Sequence, residues 1–551
     1  MRRGEKVVEQ VAKAYKALYI DKQYSTNTDK QISETSVLAT LLIHASPERP
    51  FAMLMRTSSL SLTDQLVERF TERIRNRLLA AGARLPSVRQ CAAQHGVSPH
   101  TVVSAYDHLV AAGLVEARKQ RGFYVRDIQS SKPNQALAQH NIAQAATKHV
   151  AVSDLPGGLS LRASTGLTGR LQARIDATAL IRGMFHHNRG GLGSHWPQPG
   201  MGVFPPEWLE SDFMCAAVRK VTHSKTLLET SLKYGEPKGD TGLRNALSLK
   251  LRDLSIDVPA EHIITTVGAT HGLDVVSRTL LKAGDCVMVE EPGWAVEFAR
   301  LDALGMRILP VPRRADGPDV EVMAKYCKEH APKLFVSVSV FHNPTGYCLS
   351  PGSAHRVLQL ANQHDFHIVE DDTYSHLAPQ HATRMCALDG LQRTIYVSGF
   401  AKILAPNWRV GYIAAPADLV ERMLDTKLLS TLTTPALLEK ALAICIEQGH
   451  LRRHAERIRT RLDAARTRSV KLAMQAGCTF AAEPAGLFGW VDTGVDTDVL
   501  AQHMLDDGYL LAPGALFHAS RNQPSTLMRI NFAATQEAAF WKTFGKQRDK
   551  L

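Results

Sequence analysis

The chain has 551 residues and 44% hydrophobic composition, several times the length of a typical domain, so at least two folded units are expected. Its formal charge of +12 suits contact with phosphates without establishing it. The eight cysteines (Cys91, Cys215, Cys286, Cys327, Cys348, Cys386, Cys445 and Cys478) form no CxxC or metal-like pairing. The basic start MRRGEKVVEQVAKAYK lacks an apolar core and cleavage site, and no stretch reaches spanning length. Neither secretion nor membrane insertion is expected, and reduced thiols in a cytoplasmic protein are.

Residues 1–59 offer an amphipathic pattern near the start and the polar stretch YSTNTDKQISET, but no motif that carries a function. From Leu62, the residues Leu66, Phe70, Ile74 and Leu78 recur at steps of four until Gly82, which predicts an amphipathic helix. Ser87 with Gln90 three residues on has the capping-box pattern, and Gly96 stops the short helix that follows. Ser98 caps the next helix and Pro99 takes its first position, where a missing amide hydrogen costs nothing; this helix runs to Gly113. The segment LVEARKQRGFYVRD has two apolar-rich runs around KQRG, predicting a hairpin with a basic tip.

Together these elements predict a winged helix-turn-helix over residues 60–127. Such a unit lays its second helix in the major groove, so Ser98, His100 and Thr101 near that helix start are candidate DNA contacts, with Arg89 on the preceding helix. Lys119 and Arg121 at the wing tip are placed to follow the phosphate backbone or enter the minor groove. The plainer alternative, a helical hairpin with a solvated polar face, does not account for the wing.

Residues 62–127 resemble the DNA-binding domain of the GntR family, through its LPS-x-R, V-S-x-x-T-V, A-Y-x-x-L and G-[FY]-x-V patterns. The resemblance implies a double-stranded DNA operator as partner, with base contacts from Arg89, His100 and Thr101. Pro99 stands where many relatives place a base-reading arginine.

Residues 128–164, including SSKPNQALAQHNIAQAATKH, are polar and rich in Ala and Gln, as expected of a linker. Beyond about 165, strand-like runs (CVMVEEP, KLFVSVSV, FHIVEDD, TIYVSGF) alternate with helical stretches such as GLRNALSLKLRDL. This predicts an α/β domain with a largely parallel sheet at about 210–440, followed by a smaller α+β part at about 441–551.

Pyridoxal phosphate needs a lysine for its aldehyde, an acid at the ring nitrogen, donors at the phenolic oxygen, a phosphate cradle and an aromatic over its face. Candidates for all five occur in chain order. Gly268-Ala269-Thr270 follows IITTV and opens a helix whose amides can cradle a phosphate. Trp294 in EEPGW can stack on the ring, or is simply core; Asn343 in FHNPTG can donate to the phenolic oxygen, or forms an Asn-Pro turn. In FHIVEDDTY the carboxylates lie at the carboxyl end of a buried strand, where open α/β sheets bind ligands. Asp371 would keep the pyridinium protonated and Tyr374 would share the phenolic oxygen. A divalent-metal reading of EDD is discounted because no GxxxxGK[ST] loop precedes it. SGFAKILAPNWRVGY supplies Lys402, with Arg409 seven residues on to neutralise the phosphate. Arg529 in LMRINFA can clamp a carboxylate.

From about 165 to the end, the chain resembles fold-type I aminotransferases. The resemblance implies that Lys402 holds the cofactor as a Schiff base, that Asp371 is the ring-nitrogen acid, and that Asn343 and Tyr374 serve the phenolic oxygen. It further implies Trp294 as the stacking aromatic, Arg409 as a phosphate ligand, Arg529 as the substrate-carboxylate arginine, and Tyr234 in YGEPKGDTGLR reaching the phosphate of a partner subunit. Many relatives carry serines one and three positions before the lysine; here those are Ala401 and Gly399, leaving Ser398 in a different register.

Reader first and aminotransferase-like domain second is the order of the MocR subfamily of GntR regulators. That resemblance implies a homodimer, often head-to-tail. The expected function is a pyridoxal-phosphate-dependent transcription regulator that senses an amine or amino acid at Lys402. An active aminotransferase with an appended DNA-binding domain is the alternative, and a sensor of the cofactor itself a third reading.

Overall fold

The structure is a computed structural model that describes residues 60–76, 78–79, 81–118, 121–126, 178, 180–182, 198–520 and 524–551. The extension 1–59, the expected linker 128–164 and Lys119 lie outside the described residues.

Helix α1 (Leu62–Arg75) starts where the Ser61 hydroxyl accepts from the Asp64 amide at 3.1 Å, and it buries Leu66, Phe70 and Ile74. It stops sooner than the four-residue period predicts. The amides of Leu78 and Leu79 both donate to the Arg73 carbonyl, at 2.9 and 3.1 Å, so the chain turns out of the helix and Leu78 is buried from a turn. Helix α2 (Val88–His95) is capped by Ser87 and closed by Gly96 at φ 63°. Helix α3 (Pro99–Ala111) is capped by Ser98, whose Oγ accepts from the Thr101 amide at 3.0 Å.

Strands β1 (Val115–Arg118) and β2 (Gly122–Val125) form the antiparallel wing, in register from Val115↔Val125 to Arg118↔Gly122. Tyr106 centres this unit: its ring meets Phe70 and Phe123 edge-on at 5.6 and 4.9 Å, and its hydroxyl donates to the Pro86 carbonyl. Each such buried side chain contributes about 1.5–3 kcal/mol.

The larger domain is built on an eight-stranded sheet comprising β3 (Ile263–Val267), β4 (Cys286–Glu291), β5 (Arg307–Arg314), β6 (Gly317–Pro318), β7 (Leu334–Ser337), β8 (His367–Asp371), β9 (Thr394–Gly399) and β10 (Val410–Ala414). Their order is β3-β10-β9-β8-β7-β4-β5-β6. The run from β9 to β5 is parallel, whereas β10 is antiparallel to both its neighbours. Val287 and Val289 pack to one face with Leu273 and Val276 of helix α4 (Gly268–Leu280). Cys286 and Met288 pack to the other with Val357 and Ala361 of helix α5 (Pro351–His364). Burial on both faces explains why these strands read as continuous apolar runs.

Helix α6 (His450–Gln475) leads into an antiparallel sheet in the order β11 (Thr479–Phe480), β12 (Phe488–Asp492), β14 (Leu527–Asn531), β13 (Ala512–Pro513). Helix α7 (Thr497–Asp506) packs against β13 in this smaller part. The C-terminal end of α7 also meets α1: Arg73 reaches Asp506 and the Leu505 carbonyl, and Arg69 reaches the Asp506 carbonyl. Among the described residues all eight cysteines are free thiols, no metal-ligating group occurs, and no helix is long and apolar enough to cross a membrane.

Candidate functional site

The carboxyl ends of the parallel strands bring the sequence candidates together, and the reversed β10 brings its amino end to the same edge. At the end of β3, Gly268 adopts φ 76° as α4 begins. A Cβ there would stand 2.6 Å from Arg409 Nη2, and one on Gly411 would stand 2.6 Å from the Ala269 nitrogen. Only glycine lets these backbones approach so closely. The result is a cradle of helix amides beside an exposed guanidinium, suited to a phosphate. Ala269 is half-buried and Thr270 exposed at its rim.

At the end of β8, Asp371 is buried and its Oδ1 accepts from the Thr373 amide at 3.1 Å and from the Thr373 hydroxyl. Burial pushes its carboxyl up to about 6; the Thr373 bonds oppose this, and Glu297 and Asp372 add to it. Trp294 caps the helix Ala295–Ala303 and lines a pocket with Asp371, Val338, His342 and Glu290. A flat ring has an aromatic wall and an acid in one space.

Lys402 follows β9. Its Nζ donates to the Gly202 carbonyl at 2.6 Å and lies 5.8 Å from the centre of the Tyr374 ring. Burial, followed by the Arg529 guanidinium, lowers its pKa to about 8; Asp371 opposes the shift and Arg409 adds to it. Tyr374 is buried, which raises its phenol, and it is hydrogen-bonded to Asn343.

Arg529 sits mid-strand in β14, paired with Trp490 of β12 and Ala512 of β13. Its Nη1 donates to Asn343 Oδ1 at 2.8 Å and its Nη2 to the Gly200 carbonyl at 2.5 Å. The guanidinium lies 4.4 Å from the Phe488 ring centre and 5.1 Å from that of Phe517. Burial brings it down to about 10, against the pull of Tyr374. Arg529 Nε is buried without a hydrogen-bond partner among the described residues. A rigid cation with a spare donor is what an incoming carboxylate requires.

Two candidates stand apart from this cluster. The Ser398 hydroxyl, on β9 itself, is committed to the Asp372 carbonyl at 2.8 Å. Tyr234 is 82% exposed, reaching nothing in its own chain's site.

The sequence reading misses a strap and a support. Residues 198–203 cross the site with the Gly200 and Gly202 carbonyls on Arg529 and Lys402, and Asn531 Nδ2 holds the carbonyls of Met201 and Val203 at 2.8 and 2.6 Å. Its only sequence signal is the G-x-G of QPGMGVF. Beneath the pocket, Glu290 accepts from Arg313, Ser337 and the Val338 amide.

In the reader, Arg89, Ser98, His100 and Arg121 are exposed, while Thr101 is half-buried with its hydroxyl 2.8 Å from that of Ser98. Arg118 lies 4.4 Å over the Tyr124 ring on the wing.

A winged helix-turn-helix joined to a fold-type I aminotransferase domain defines the class of protein. The chain belongs to the aminotransferase class I and II family, matched over residues 207–540, and residues 62–125 match the bacterial regulatory proteins of the gntR family, the architecture of the MocR subfamily.

Among curated relatives it is 25% identical over 444 residues to the uncharacterized HTH-type transcriptional regulator YisV of Bacillus subtilis, covering 79% of this chain and 85% of that one. It is 29% identical over 410 residues to the probable rhizopine catabolism regulatory protein MocR of Rhizobium meliloti, covering 74% and 76%. The crystal structure of Pyrococcus horikoshii kynurenine aminotransferase superposes with a TM-score of 0.60 at 24% identity, covering 67% of this chain and 94% of that one, a likeness of fold.

Proposed function

We propose that this protein is a cytoplasmic, pyridoxal-phosphate-dependent transcription regulator that binds operator DNA through residues 60–127 and senses an amine or amino acid in residues 165–551. The observation that carries the reading is the convergence of Lys402, Asp371 and the spare donor of Arg529 in a chain that also holds a DNA reader.

The residues fit the cofactor. Gly268, Ala269, Thr270 and Arg409 take the phosphate, Trp294 covers the ring, Asn343 and Tyr374 serve the phenolic oxygen, and Lys402 takes the aldehyde. When bound, pyridoxal phosphate supplies an electrophilic carbon and an electron sink. Asp371 holds a proton at the ring nitrogen. Lys402, its pKa lowered to about 8, gives up its proton more readily than an ordinary lysine and would serve as a base once free of the aldehyde. Arg529 exchanges the Gly200 carbonyl for the carboxylate of an amino acid, with Asn343 holding the guanidinium in plane.

The partner is a second copy of the chain. Leu227, Leu228, Leu232, Tyr234, Leu429 and Leu432 are all exposed, which suits an interface that delivers Tyr234 to the other subunit's phosphate. On DNA, His100 and Thr101 read bases with Arg89, Ser98 binds phosphate, and Lys119 and Arg121 follow the backbone.

The second reading, a working aminotransferase, is favoured by the completeness of the same site. A titration separates them: amino acids are added to the cofactor-loaded protein and followed by its visible band, with and without operator DNA. Linkage requires DNA to shift ligand affinity, by about 1–3 kcal/mol in typical systems. Identical affinities with steady keto-acid production would replace the regulator with the enzyme.

A further inference from the structure

Helix α6 (His450–Gln475) carries eight Arg or Lys residues against only Glu456 and Asp463, so this one helix holds six of the chain's formal +12. Its buried face is Leu451, His454, Ala455, Ile458, Leu462 and the small residues that continue that row. At 3.6 residues per turn, Arg453, Arg457, Arg461, Arg468 and Lys471 fall within about 80° of one another on a different face, in a stripe about 27 Å long. All five are exposed.

Partners set these five apart from Arg459 and Arg466, and position sets them apart from Arg452, which lies about 100° around the helix from Arg453. Arg459 and Arg466 are paired with Glu456 and Asp463, at 3.9 and 2.7 Å. Within the stripe, Arg453 meets His450 and the Gln448 carbonyl, Arg457 meets His454, and Arg461 meets the Glu207 carbonyl. Among the described residues, no carboxylate is paired with any of the five. Five like charges in line repel one another, and that cost is relieved by an anionic surface with repeating charge.

We propose that this stripe is a second DNA-binding surface, on the aminotransferase domain, that takes the phosphate backbone of a duplex without reading its sequence. Duplex DNA presents a negative charge about every 1.7 Å of its axis, so a stripe of this length spans many phosphates. Arginine, four of the five, suits phosphate oxygens because its planar fork donates two parallel bonds. The helix buries its apolar face in the domain core, leaving nothing to insert into a lipid bilayer, which favours DNA over a membrane surface. The reader in the same chain raises the local concentration of duplex around the stripe. The inference rests on the DNA-binding reading proposed above.

The test uses the full-length, cofactor-loaded protein and a mixed-sequence duplex of about 40 bp, several times the length of the stripe at the axial spacing of its charges. Affinity is measured across a range of salt. Each phosphate contact contributes about 0.9 to the slope of log affinity against log salt, so the triple variant Arg457→Gln, Arg468→Gln, Lys471→Gln should lower the slope by about 2.7. Ala464→Arg adds a cation to the same face, at an exposed position, and should raise it by about 0.9. Arg466→Gln, whose side chain is paired with Asp463, should leave the slope unchanged. Circular dichroism and the cofactor band report that each variant is folded.

Unchanged slopes in the triple variant and in Ala464→Arg overturn the stripe while leaving the reader intact. A wild-type protein that binds no duplex overturns the DNA reading itself, and the stripe with it. If the triple variant instead loses binding to phosphatidylglycerol vesicles while its duplex slope stands, the surface belongs to a membrane and the proposal fails.

Discussion

Arg73 of the reader's first helix lies with Nη1 2.6 Å from Asp506 Oδ1, and its Nη2 donates to the Leu505 carbonyl at 2.9 Å. Arg69 Nη2 donates to the Asp506 carbonyl at 3.1 Å. Two cations thus meet the C-terminal end of α7, where the helix dipole favours positive charge. Only five residues separate Asp506 from Ala512, which pairs with Arg529 in the small sheet. The reader is therefore tied to the helix that leads into the small sheet holding Arg529.

Substituting Arg73→Ala should loosen that tie. Hydrogen bonds to charged groups contribute about 1.5–3 kcal/mol each when buried, and Asp506 is one-third exposed, so the loss should fall at or below the lower end. Amide exchange across 62–75 should quicken while exchange in β7 and β8 is unchanged. Equal protection of α1 in the variant and the wild type would remove Arg73 as a fastening.

Loading of the protein with pyridoxal phosphate should depend on pH through Lys402. Only the neutral amine attacks an aldehyde, so with its pKa lowered to about 8 the loading rate should rise with pH up to that point and level off. An ordinary lysine would keep gaining to about 10.4. Borohydride reduction followed by peptide mapping should place the label on Lys402, and Lys402→Ala should take none. A label on another lysine would refute the assignment.

For Arg529→Ala, amino-acid affinity should fall about 10- to 100-fold, the worth of a charge-assisted hydrogen bond of about 1.5–3 kcal/mol. An amine of similar size without a carboxylate should bind the variant as it binds the wild type. Parallel losses for both ligands would show that Arg529 supports the pocket and does not recognise the acid.

Gly411→Ala should damage the phosphate cradle from behind. The new methyl would stand 2.6 Å from the Ala269 nitrogen, against backbone that has no side chain to move aside. Overpacking of this kind costs about 1–3 kcal/mol. Cofactor retention on a desalting column should drop, and inorganic phosphate should lose its protection of the site. Retention equal to wild type would place the phosphate elsewhere.

Much of this was legible in the sequence because its signals are local. Ser61, Ser87 and Ser98 each accept from an amide three residues on, so two of the three reader helices could be started from Ser-x-x patterns alone. Lys402, Asp371 and Trp294 stand out as candidates because each lies at or just beyond the end of an apolar strand. The misses are long-range. Gly202 meets Lys402 across 200 residues and Arg73 meets Asp506 across 433, and nothing in either neighbourhood names its partner. Arg73 reads as a solvated helix residue until α7 is folded beside it. The apolar period overruns the end of α1 because Leu78 keeps it after the backbone has left the helix.

The reversed strand β10 has a consequence for how such proteins diverge. Val410 pairs with Val267, so Arg409 and the Gly268 cradle are joined by backbone pairing at the edge of the sheet, whereas Lys402 stands in the loop between β9 and β10. The anion seat is thus anchored independently of the reactive amine. One substitution at Lys402 therefore removes the amine and leaves the anion seat standing. On the proposed reading, covalent reactivity is what a single substitution removes, and anion binding is what it leaves.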